Sequence, residues 1–272
     1  MKNKMTRTTC NESGFSLVEL AVVIIIIGLL IGGVLKGQQL IEGTKVTATI
    51  TEIKNIQAAY KAFKSAYGLP AGDLPDATVR LANCSAGATS CEDGNGDGII
   101  GGAGVGAAAG AGIVNFWEGD NFAIGDENTQ FWKHLSLAGM ITGVQANADM
   151  VAWGESHPAS SIRGGYTIAQ TRCAVDGAVG GATCNASPEG LTLRLQNCLD
   201  TCPGNNIEMG IGRAPMSPKQ AEMIDAKMDD GIPNMGKVRS MGPGNGGVVD
   251  QCEVEYNGGE SKDCTMGFIT PR

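Results

Sequence analysis

The sequence is poor in charge. Only 18% of its 272 residues are Asp, Glu, Lys or Arg, and the balance is acidic, with a net charge of −8 and a pI of about 4.8. That balance disfavours nucleic acid as a partner, because phosphate binding needs clustered Lys and Arg. It suits an extracellular surface or one that binds cations. Histidine is nearly absent, with only His134 and His157. Two histidines leave little material for a catalytic triad or a zinc site, and neither G-x-S-x-G nor H-E-x-x-H occurs. An enzyme is therefore not expected. His134 lies inside a helical pattern and reads as a packing or surface residue. No two cysteines have C-x-x-C spacing, and no proline falls between residues 15 and 67. What the chain does have is glycine, 41 residues of it, which favours a loop-rich fold over a compact helical one.

Nine cysteines set the compartment. Cys10 precedes a long apolar run. Cys84, Cys91, Cys173, Cys184, Cys198, Cys202, Cys252 and Cys264 all follow it. An even number after a membrane-targeting segment implies disulfides in an oxidising space. Pairing of neighbours gives Cys84–Cys91, Cys173–Cys184, Cys198–Cys202 and Cys252–Cys264. The Cys198–Cys202 loop is tight, and a crossed arrangement with Cys173 and Cys184 is the alternative.

The apolar run, Phe15 to Leu35, is long enough to cross a bilayer. Lys2, Lys4 and Arg7 precede it, so the start faces the cytoplasm. An ordinary secretory signal would place a small-residue cleavage site after the apolar segment. None follows here; the small residue, Gly14, stands before it. One carboxylate, Glu19, lies inside the run. An acid in hydrocarbon costs about 2.5–3.5 kcal/mol at a helix centre and less near an end, so such acids are usually paired.

Gly14-Phe15-Ser16-Leu17-Val18-Glu19 resembles the class III leader of type IV prepilins and type II secretion pseudopilins. The resemblance implies that a membrane-embedded prepilin peptidase cuts after Gly14 and methylates the new N-terminal Phe15. It also implies that Glu19, fifth in the mature chain, neutralises the α-amine of a neighbouring subunit during assembly by inner-membrane machinery.

Beyond Leu35, Val46, Ile50, Ile53, Ile56, Tyr60, Phe63 and Tyr67 recur at spacings of three and four, one apolar face of a helix. Gly68 and Pro70 supply the stop. The pattern predicts one helix over 15–67, roughly 80 Å long at 1.5 Å per residue. Many members of the resembled family have a proline in this helix, where this chain has Lys36. Gly28, Gly32, Gly33, Gly37 and Gly43 are the positions where it could bend.

In the remainder, "CEDGNGDGIIGG" (91–102) matches the first half of a calcium loop. Asp93, Asn95 and Asp97 alternate, Gly98 permits the turn, and Ile99 is placed to offer its carbonyl. The twelfth position is Gly104 instead of Glu, so a ligand must come from elsewhere. Glu127 is the first candidate, Glu118 or Asp120 the next. A Gly/Asn/Asp turn without an ion is the alternative. Helices are expected over about 127–138 and 217–231, the second with Ser217, Pro218 and Gln220 as a capping box. Strands are expected at 164–172, 191–196, 236–241 and 264–269. Asp225, Asp229 and Asp230 cluster near a helix C-terminus, where acids oppose the dipole, and can serve as solvated turn residues or hold a cation.

The expected fold is α+β: a leader (1–14), a long N-terminal helix (15–67) whose first half is transmembrane, and a loop-rich, disulfide-stapled head (68–272) with an antiparallel sheet. The expected role is a structural subunit of an extracytoplasmic pilin-like filament with a calcium-supported head. Its partners would be identical or homologous subunits, the prepilin peptidase and inner-membrane assembly machinery. It would begin as a single-pass inner-membrane precursor and end in a periplasmic or surface filament. The alternatives are a type II secretion pseudopilin and a membrane-tethered or tip-located, adhesin-like binding protein.

Overall fold

The computed structural model describes residues 16–84, 91–101, 124–171, 190–197, 214–233, 235–241, 252, 256 and 264–270. It is α+β, as expected. Helix α1 covers Leu17–Tyr67, and three shorter helices follow: α2 (Ala77–Arg80), α3 (Glu127–Leu137) and α4 (Pro218–Met228). Strands β1 (Gly165–Thr171), β2 (Gly190–Gln196), β3 (Val238–Met241) and β4 (Thr265–Ile269) form one antiparallel sheet in the order β1-β2-β4-β3. The chain divides into two units, Met1–Thr44 and Lys45–Arg272.

In the first unit the side chains of α1 from Leu17 to Ile41 are exposed, including a nearly unbroken series of Leu, Ile and Val. The helix is long and apolar enough to cross a membrane, and none of its most apolar window is buried within the chain. The five glycines at which it could bend leave it helical throughout.

In the second unit the expected stripe is the part of α1 that is buried. Val46, Ile50, Ile53, Ile56, Tyr60 and Phe63 enter the core, and Tyr67 stacks on Phe63 with ring centroids 4.4 Å apart. The helix ends at Gly68, whose φ of +84° suits a residue without Cβ and whose N–H donates to the Lys64 carbonyl (2.9 Å). From α3, Phe131, Trp132 and Leu135 complete this core.

The sheet register aligns Ile168, Leu193, Phe268 and Val238 in one row across all four strands. Tyr166, Leu195, Met266 and Ser240 form the next row of the same face. Such cross-strand neighbours stabilise a sheet by about 0.2–1 kcal/mol per pair. The Tyr166 hydroxyl donates to Glu52 (2.8 Å) and so ties β1 to α1. Alternation in β2 predicts one buried face, yet all seven residues are buried, Thr192 and Arg194 included. The polar face of β2 is thus covered as well.

Helix α4 begins with the predicted box. The Gln220 N–H donates to Ser217 Oγ (3.4 Å) and the Ser217 N–H to Gln220 Oε1 (3.1 Å), with Pro218 in the first turn. Two of the expected disulfides are present: Cys84–Cys91, with Cα atoms 4.9 Å apart, and Cys252–Cys264, at 5.6 Å. Cys173, Cys184, Cys198 and Cys202 lie outside the described residues.

Candidate functional site

Gly14 and Phe15, the residues expected to flank the processing cut, lie outside the described residues, but Glu19 does not. It occupies the first turn of α1, where its Oε2 accepts from the Ser16 N–H (3.2 Å). A carboxylate at a helix N-terminus meets the positive end of the dipole and an N–H group without a helical acceptor. This explains how one acid is accommodated at the head of an otherwise apolar span.

The second candidate site is built on a polar face of α3. Glu127, Gln130 and His134 recur at spacings of three and four, and all three reach the loop 91–101 or the turn beside it. Glu127 Oε1 accepts from the Asn95 N–H (3.0 Å) and Oε2 from the Gly101 N–H (3.3 Å). Gln130 Oε1 accepts from the Glu92 N–H (3.0 Å). His134 Nδ1 accepts from the Gly72 N–H (2.9 Å), and its Nε2 lies 2.9 Å from the Glu92 carbonyl. The ring is therefore the neutral tautomer with hydrogen on Nε2. Burial pushes its pKa down to about 4, so it stays neutral near pH 7. His134 is a structural clamp, in keeping with the packing role expected for it.

The clamp gathers three acids. One carboxylate oxygen from each of Asp73, Asp97 and Glu127 lies within 4.8 Å of the others. Asp73 is fully buried and Glu127 nearly so. Asp73 Oδ2 accepts from the Gly98 N–H (2.9 Å), while its Oδ1 is buried without a hydrogen-bond partner. Asp97 Oδ1 accepts from the Ile99 N–H (2.8 Å), and Asn95 Oδ1 from the Asp97 N–H (2.9 Å). Burial raises the pKa of Glu127 to about 7, opposed in part by the Asn95 and Gly101 N–H groups and helped by the charges of Asp73 and Asp97. Asp73 is also raised, first by burial. Several oxygen donors and no compensating positive charge among them make a set suited to a hard cation.

The structure thus brings together two of the residues singled out in the sequence, Asp97 and Glu127, and adds Asp73. It sends Asp93 elsewhere: that carboxylate accepts from the Thr78 N–H (2.8 Å) and hydroxyl (3.1 Å), at the first turn of α2. The first acid of the motif therefore anchors a helix outside the cluster. Asn95 shapes the loop through its side chain, and the Ile99 N–H is the group engaged with Asp97. Glu118 and Asp120 lie outside the described residues. Asp73 had no sequence signal of its own, since "AGDLPD" reads as an ordinary turn.

No curated protein and no solved structure matches the chain. One family model does, over residues 9–35, and it is the prokaryotic N-terminal methylation motif. The match takes in Gly14, Phe15 and Glu19, and the apolar helix behind it fits single-pass membrane anchoring. The chain accordingly carries the class III leader that marks processed proteins of the type IV pilin and pseudopilin kind.

Proposed function

We propose that this protein is a structural subunit of an extracytoplasmic pilin-like filament, released from its leader after Gly14 and assembled through α1. The observation that carries this is the methylation motif joined directly to a helix whose Leu, Ile and Val side chains stand exposed from Leu17 to Ile41. Exposed apolar surface of that extent calls for a lipid or protein environment. A filament of identical or homologous subunits supplies the second after the membrane supplies the first. The prepilin peptidase and the inner-membrane assembly machinery are the implied partners.

Glu19 then has a role beyond its local hydrogen bond: it is the counter-charge for the Phe15 amine of a packed neighbour. Glu19→Val is expected to insert into the membrane at least as well as the unmutated chain, because a charge leaves the hydrocarbon. Filament recovered from the surface by shearing should fall at least tenfold. Unchanged filament yield would remove Glu19 from assembly. If the unmutated mature chain is absent from the sheared fraction and stays in the envelope, the pseudopilin alternative replaces the filament subunit.

The head of this subunit holds calcium at Asp73, Asp97 and Glu127. Support comes from the buried, unpartnered Asp73 Oδ1 and from three carboxylates close together, a repulsive set that a divalent ion would neutralise. The missing twelfth-position Glu places the affinity at about 10⁻⁴–10⁻³ M, in the range of extracellular modules. An ion that binds only the folded state at about 100 times its dissociation constant adds about 2.7 kcal/mol. Thermal unfolding of the full chain in detergent should therefore shift upward with calcium. Asp97→Ala should remove most of that shift, whereas Asp93→Ala should leave it in place and lower stability in both conditions. An identical calcium shift in Asp97→Ala would overturn the assignment.

A further inference from the structure

We infer a second cation site at the C-terminal end of α4, formed by Asp225, Asp229 and Asp230 and suited to a hard divalent ion such as calcium. One carboxylate oxygen from each lies within 4.8 Å of the others. Two oxygens on opposite sides of a calcium ion, each about 2.3–2.6 Å from it, are separated by about that distance. The three can therefore share one ion with little movement.

The electrostatics of the place oppose three anions. Asp225 is in the last turn of α4 and Asp229 is its C-cap, where the negative end of the helix dipole repels a carboxylate. Among the described residues none of the three forms an ion pair. Lys227 is in the same turn but is exposed and reaches none of them.

The observation that points to a ligand is Asp225 itself. It is fully buried. Its Oδ2 accepts from the Tyr256 hydroxyl (3.0 Å), but its Oδ1 is buried without a hydrogen-bond partner. A buried carboxylate oxygen with nothing to accept from is costly, and a bound cation is the partner that a cluster of acids can offer it. The two exposed acids each commit one oxygen to the backbone. Asp229 Oδ2 accepts from the N–H groups of Lys237 and Val238 (3.1 Å for Val238), and Asp230 Oδ1 from the Ile232 N–H (2.9 Å). Each thereby holds its carboxylate in place and leaves a second oxygen for a metal. An ion here would join the end of α4 to the start of β3 through the segment 229–238. It would also approach Tyr256, whose phenol can sensitise bound terbium.

The test uses the full chain in detergent, with calcium titrations followed by calorimetry and terbium titrations followed by luminescence. The variants are Asp230→Asn, which keeps the Ile232 hydrogen bond, and Asp97→Ala, which disables the other site. The unmutated chain should bind two calcium ions, and Asp97→Ala should retain one. Asp230→Asn should weaken one of the two at least tenfold while its circular dichroism stays unchanged. Terbium emission excited through tyrosine should persist in Asp97→Ala and fall at least fivefold when Asp230→Asn is added. Calcium binding that Asp230→Asn leaves intact, or that Asp97→Ala abolishes completely, would overturn the second site. Retention of both ions in Asp97→Ala would count against the first site alone, so the two assignments fail separately.

Discussion

Gly14→Val is expected to leave the whole population of chains as uncut precursor. The matched methylation motif contains Gly14 and Phe15, and the proposed scissile bond lies between them. Glycine offers a peptidase an approach to the backbone that no Cβ obstructs, whereas valine puts two branches beside the bond to be cut. Membrane insertion should be unaffected, because the apolar run and the basic residues before it are intact. Intact-mass measurement of the purified chain should find residues 1–14 retained. On the proposed pairing of Glu19 with the Phe15 amine, an uncut chain offers Glu19 no counter-charge, and surface filament should be undetectable. Mature chain of normal mass in Gly14→Val cells would end the assignment of the cleavage site.

The second large effect concerns Gly72. Its φ is +87°, in the left-handed region, where a side chain costs about 1–2 kcal/mol. A Cβ there would also collide with the Glu127 carbonyl oxygen in the first turn of α3 and lie 3.1 Å from the Phe131 nitrogen. Both are helix backbone and cannot rotate away. The Gly72 N–H is moreover the donor to His134 Nδ1, so displacement breaks the clamp and moves Asp73 with it. Strain, overlap and a lost buried hydrogen bond together should cost Gly72→Ala about 4 kcal/mol or more in stability. Any calcium-dependent shift should disappear as well. Gly68→Ala is the control: φ is +84° there, but nothing lies within 4 Å of the added carbon. It should cost only the conformational term, about 1–2 kcal/mol. Denaturant unfolding of both variants distinguishes the cases. Equal, small losses would show that the turn at Gly72 moves freely and does not set the geometry of Asp73.

Local chemistry explains most of what the sequence revealed. The buried stripe of α1, the stop at Gly68 and the box at Ser217 and Gln220 depend on residues a few positions apart, so their physics is written in order along the chain. The leader is local too, which is why 27 matched residues suffice to recognise it. The four strands were visible in the sequence, 164–172 and 191–196 as alternating runs, but their order was not. Placing β4 between β2 and β3 depends on which edges meet in space. Helix α2 escaped notice because four residues carry no period, and its start is stabilised by Asp93, fifteen positions after the Thr78 it holds.

The candidate cation site divides along the same line. By itself the sequence determined that a Gly-rich acidic loop would form at 93–99 and that Glu127 was available to it. Only the tertiary structure decided that Asp73 joins Asp97 and Glu127, and that Asp93 leaves. Buried carboxylates go where N–H donors await them. Those donors are set by the docking of α3 on the loop, through Gln130 and His134, and by the close approach that Gly72 permits. No stretch of residues read in order contains that docking, because its contacts join positions up to 62 residues apart.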